Sequence, residues 1–140
     1  MIEKKAWGST IDVLSRVLDA RSLRHSLLTT NIAHADTPQY RPSELKFAEV
    51  LNQIRAEQGG SPLLRTDPQH LPASGSREGK EAWASAIESP ALPAGNDGNG
   101  VEMEKEMAKL AENTLMYNAS VQILSKLFSQ VRYAIDEGGK

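Results

Sequence analysis

The chain has 140 residues, of which 39% are apolar and only 5% aromatic, so one domain's length carries less large apolar material than a single dense core of that size uses. With 16 Lys and Arg against 18 Asp and Glu the net charge is −2, which leaves no electrostatic footprint for nucleic acid or for an anionic membrane. The absence of cysteine excludes disulfides, Cys-based zinc sites and thiol nucleophiles.

Residues 1–7 are mixed in charge and lead straight into an amphipathic pattern, which is unlike a cleaved leader. A helix is expected to begin at Ser9, where Asp12 three residues on gives a capping-box spacing and Gly8 stands just before. Ile11, Leu14, Leu18, Arg21, His25, Leu28, Ile32 and Ala35 then follow at alternating spacings of three and four. Arg21 and His25 are the polar intrusions in that stripe. The helix should stop near Ala35, because Pro38 pushes Thr37 out of the α region.

Residues 41–100 hold seven of the ten Gly and six of the seven Pro, so this stretch is expected to be loop-rich. Within it, residues 45–55 (Leu45, Phe47, Ala48, Val50, Leu51 and Ile54) suit a short helix, and 62–66 and 82–87 suit short strands or extended segments. A flexible linker and a small β-rich unit are both open readings of this stretch.

The C-terminal part carries the cleanest pattern. Met103, Met107, Leu110, Thr114, Tyr117, Val121, Leu124, Phe128, Val131 and Ile135 form a heptad seam with Thr114 as its one polar member. A helix over 101–135 would be roughly 50 Å long. Asn99 with Glu102 should cap its start, Glu104 and Glu106 suit its dipole, and Gly138 and Gly139 should end it. The least charged stretch, 113–125, is too short and too polar to span a bilayer. The fold class expected is therefore mainly α: long N- and C-terminal amphipathic helices around a Gly/Pro-rich middle. The expected divisions are 1–40, 41–100 and 101–140, with the two ends forming one helical unit.

Catalytic chemistry finds little to stand on. His25, His34 and His70 share no metal-ligand spacing. Asp97-Gly98-Asn99 lacks the alternating acidic ligands of a calcium loop and reads as a turn and cap. Gly59-Gly60 has no following Lys-Ser/Thr, Ser74-Gly75-Ser76 has no identifiable base, and Glu102, Glu104 and Glu106 point to different helix faces. No enzyme, cofactor, metal, nucleic acid or small-molecule substrate is expected. What remains is two long apolar stripes, able to pair with each other or with other chains. Polar intrusions in such stripes can set register or partner.

Asn31-Ile32-Ala33-His34-Ala35-Asp36-Thr37-Pro38-Gln39-Tyr40 resembles the N-I-A-N-A-x-T-P-G-Y junction of the axial proteins of the bacterial flagellum, which comprise rod, hook and hook-associated proteins. Asp97-Gly98-Asn99 with Val101, the run from Glu106 to Asn113 with Leu115 and Tyr117, and Ser125, Phe128, Ala134-Ile135 and Glu137-Gly138 are similar to the proximal rod branch of that family. So is Thr66-Asp67-Pro68-Gln69-His70-Leu71. His34 and Gln39 depart from the motif, standing where Asn and Gly are usual. If the turn takes a positive φ at 39, Gln39 carries strain there.

The resemblance implies a structural subunit of the proximal rod in the periplasmic basal body, exported through the flagellar type III apparatus without a cleaved leader and needed for flagellar assembly and motility. It implies terminal helices paired as a coiled coil, with further copies and other rod proteins as partners. Leu110, Tyr117, Val121, Leu124, Phe128, Val131 and Ile135 are then expected to pack against Ile11, Leu14, Leu18, Leu28 and Ile32. The junction residues Asn31, Ile32, Ala33, Thr37, Pro38 and Tyr40 would turn the chain outward. The other reading of the same stripes is a cytoplasmic export chaperone or adaptor. An enzyme acting on cell-wall polymer finds no support in the spacing of Glu78, Glu81 and Glu88.

Overall fold

The computed structural model describes residues 2–59, 83–89 and 98–137. Helix α1 spans Ile2–Ala33, strand β1 Glu44–Leu45, helix α2 Phe47–Gly59, a 3₁₀ turn Ala84–Ala86, strand β2 Ile87–Glu88 and helix α3 Met103–Glu137. The chain is mainly α, with α1 and α3 packed along each other as its principal contact. They run antiparallel: Asn31 of α1 meets Glu106 of α3, and the Arg21 carbonyl meets Asn113 further along.

Several element ends differ from expectation. Helix α1 does not start at the Ser9 capping box but runs through it from Ile2. A lone Gly lowers helix stability by about 1 kcal/mol without ending a helix, and Gly8 has open space around it. The end of α1 comes at Ala33, followed by turns over 34–39. Asn99 does not cap α3. Its Oδ1 accepts the Val101 N–H at 2.8 Å in a local turn, while the first helical bond runs from the Glu106 N–H to the Glu102 carbonyl at 3.0 Å. The expected 45–55 helix is α2, which begins two residues later and ends four residues later. Of the expected 82–87 strand only its end is β2, the part before it being the 3₁₀ turn. The expected strand at 62–66 and the 66–71 element lie outside the described residues, as do Gly60, His70, Ser74 to Ser76 and Asp97.

Only one apolar core is present among the described residues, and it lies between α1 and the middle of the chain. Ala20, Leu45, Val50, Ile54, Trp83 and Ala86 are buried together, with Val13, Val17, Leu23, Leu27, Phe47 and Ile87 packed around them. Strands β1 and β2 close this core as an antiparallel pair, Leu45 opposite Ile87 and Glu44 opposite Glu88. Like charges directly opposed are unfavourable, and each glutamate here meets a lysine: Glu44 with Lys109 at 3.3 Å and Glu88 with Lys46 at 2.9 Å.

Candidate assembly interface

The face that α3 turns toward α1 is not the apolar heptad read from the sequence. Its buried positions are Glu106, Asn113 and Ser120, seven residues apart, with Leu127 half-buried in the same register. Leu110, Leu124 and Val131 are half-buried beside them. The inner seam is thus the expected one turned by one residue, sharing 110, 124 and 131 with it. Hydrogen bonds compensate most of the burial of these three polar residues, although the buried Asn113 Oδ1 has no partner. Asn113 Nδ2 donates to the Arg21 carbonyl at 2.9 Å, Ser120 Oγ donates to the Met116 carbonyl at 2.8 Å, and Glu106 joins the junction described below.

Of the expected interface residues, Leu28 is buried and Ile11, Leu14, Leu18 and Ile32 are half-buried on α1. Tyr117, Val121, Phe128 and Ile135 are 39, 40, 53 and 70% exposed, so in the single chain much of the outer stripe is uncovered. The uncovered stripe of α3 lies beside α1 on one side of the hairpin. A cavity of about 210 Å³ lies between Ser22 and His25 of α1 and Asn113, Thr114 and Tyr117 of α3. A second concavity, of about 420 Å³, follows along Val121, Leu124, Ser125, Phe128, Ser129 and Arg132. At 100° per residue, positions 11, 18, 25 and 32 of α1 stand about 160° from 13, 20 and 27, which hold the core. Among the described residues, β1, α2 and the 83–88 segment therefore cover one side of the hairpin, and an apolar groove is open on the other.

Two asparagines tie the ends of the helices together. Asn31 is 2% exposed and uses its whole amide: Nδ2 donates to Glu106 Oε2 at 2.9 Å and to the Ser43 carbonyl at 3.0 Å, and Oδ1 accepts from the Ser43 N–H at 3.0 Å and the Tyr40 hydroxyl at 3.3 Å. Lys109 bridges Glu106 at 3.0 Å and Glu44. Burial alone would lower the Lys109 pKa, but the hydrogen bond and charge of Glu106, with Glu44, outweigh it and raise the pKa above the ordinary lysine value. Asn99 Nδ2 donates to the carbonyls of His34, Ala35 and Thr37 just past α1, and the Gly100 N–H donates to the Tyr40 carbonyl at 3.2 Å. These bonds satisfy carbonyls that a helix end otherwise leaves to solvent. The His34 ring stacks on Tyr40 at 4.6 Å between centroids. Ile32 and Tyr40 of the junction motif are half-buried, while Ala33, Thr37 and Pro38 are exposed at the bend.

Gln39 sits at φ 60°, against Gly98 at φ 68°. A side chain in the left-handed region is strained by roughly 1 kcal/mol relative to Gly. Gln39→Gly is accordingly expected to raise unfolding stability by about 0.5–1 kcal/mol, net of the entropy Gly returns to the unfolded chain. A urea titration would read it, and a loss of stability would mean that contacts of the Gln39 side chain outweigh the strain.

Periodicity misses Glu106, Asn113 and Ser120, because it scores the apolar stripe and passes over a polar heptad running beside it. Their seven-residue spacing is the one signal periodicity offers, and the resemblance marks Glu106 and Asn113 independently. Among the described residues no cluster of three His, Asp or Glu is placed to hold a metal, and no helix is long and apolar enough to cross a membrane.

No protein-family model matches the chain. Individual proteins do. Over 125 residues it is 38% identical to the flagellar basal body rod protein FlgB of Cereibacter sphaeroides, covering 89% of this chain and 92% of that one. Identity to FlgB of Salmonella typhimurium is 34% over 112 residues, 76% of this chain and 78% of the other. FlgB of Bacillus subtilis is 29% identical over 134 residues, 96% of this chain and 98% of its own length.

Proposed function

The chain belongs to the FlgB family of flagellar basal body rod proteins, and from that premise we propose that it is a self-assembling structural subunit of the proximal rod. In this reading it reaches the periplasm through the flagellar type III apparatus, and it joins other copies and other rod proteins through its terminal helices. Flagellar assembly and motility then depend on it. Its work is packing, and no catalytic step is assigned to it.

The observation that carries the reading is the open apolar groove between α1 and α3. A contiguous apolar surface on a small chain marks an interaction site, and here it runs with helical spacing along much of the hairpin. Bending the chain out at 34–40 and back at 98–100 leaves β1, α2 and β2 on the covered side, away from the groove.

The test is to purify hook–basal bodies from cells carrying an epitope-tagged copy in place of the chromosomal gene. The tagged chain is expected there in fixed stoichiometry, and a deletion strain is expected to lack rods and swimming. A chain that stays in the cytoplasm of cells still building rods would overturn the reading in favour of an export chaperone or adaptor.

A further inference from the structure

Helix α3 carries a second apolar flank that its own chain leaves uncovered. Met116 is 44% exposed, Ile123 54% and Leu115 68%. Met116 and Ile123 stand two residues after Thr114 and Val121, about 200° round the helix. The groove and this ridge therefore lie on opposite flanks of one helix, with the inner seam against α1 between them. We propose that the ridge of one copy, centred on Met116 and Ile123, seats in the α1–α3 groove of a second copy. This rests on the assembly reading above and names the partner of that surface.

Three features favour a second copy. The groove is continuous with the α1–α3 interface, since buried Asn113 and half-buried Leu124 belong to both, so a third helix laid there extends a packing layer that already exists. The ridge has the seven-residue repeat that such a groove accepts. Pairing groove with groove would set two concave surfaces together and leave both ridges in water, whereas groove with ridge covers all of them. Because the two patches differ, the contact is head-to-tail, and it propagates as a tube or helix where the rotation does not close. The polar residues at the groove's mouth, His25 and Thr114, then sit where they can fix the register of the incoming helix.

The chain has no native cysteine, so any disulfide between two copies joins engineered thiols. Differently tagged Val121→Cys and Ile123→Cys copies, co-expressed, would be oxidised in isolated basal bodies, with Thr114→Cys and Met116→Cys as a second pair one heptad away. The mixed pairs are expected to give at least tenfold more disulfide-linked dimer than any single variant alone. Equal cross-linking of Val121→Cys by itself would overturn the proposal in favour of a two-fold contact. No mixed cross-link at either pair, in basal bodies holding both copies, would overturn it in favour of a different rod protein in the groove. The same mixtures oxidised as purified protein at high concentration read the contact whether or not the chain reaches the rod. Absence from basal bodies would thus count against the functional reading, and the purified-protein result against this contact, separately.

Discussion

Replacing Asn31 by Ala is expected to destabilise the folded chain by about 3–5 kcal/mol, because it removes four hydrogen bonds and leaves buried polar groups without partners. The loss goes well beyond one side chain. Glu106, 6% exposed, keeps only Lys109 as a partner, the Ser43 N–H and carbonyl lose theirs, and Tyr40 loses the acceptor for its hydroxyl. A cycle with Glu106→Ala isolates the pair. If Asn31 and Glu106 act together, the double variant should be less destabilised than the sum of the singles by about 1–3 kcal/mol. Chemical denaturation followed by helical circular dichroism measures all three. A cost under about 1 kcal/mol for Asn31→Ala would show that the junction network does not hold the hairpin closed.

Val121→Asp and Phe128→Asp are expected to abolish swimming while leaving the chain folded and present at normal levels. Both side chains lie on the outer stripe, 40 and 53% exposed, and exposed substitutions of this kind shift stability by only about 0.5–1 kcal/mol. Burying an unpaired carboxylate in an apolar contact costs several kcal/mol, at every copy in the assembly. Leu124→Asp is the informative contrast: Leu124 is half-buried against the hairpin, so its substitution should lower stability as well as motility. Soft-agar swimming, immunoblotting and thermal melts separate the two effects. Swimming at the parental rate in both exposed variants would remove the outer stripe from the assembly interface.

The contrast between those positions shows how far a heptad can be read. Ten residues from Met103 to Ile135 define a face of α3 correctly as a helical stripe, yet periodicity says nothing about which partner that face meets. Within the chain the choice is decided by hydrogen bonding. Glu106 has Asn31 and Lys109 to receive it and Asn113 has the Arg21 carbonyl, so α3 turns its polar heptad inward by one residue and leaves Val121 and Phe128 outside. The middle of the chain shows the converse. Its Gly and Pro content suggested loop, but Leu45, Val50, Ile54 and Trp83 close a core on Ala20, which only the folded path of the chain could bring together.

From residue order alone came the mainly helical class, the two long helices and their approximate limits, the bend at Thr37-Pro38, and the resemblance to flagellar axial proteins. Each rests on local chemistry: side-chain period, the constraint a proline places on its predecessor, and a ten-residue motif. The tertiary structure alone decided the register of the hairpin, the side left open, the clamp by Asn99 on the end of α1, and the strained turn at Gln39. These depend on pairs such as Asn31 with Glu106, 75 residues apart, and Asn99 with His34, 65 apart. An amide side chain states in the sequence what it can bond, and the fold decides which groups come within reach.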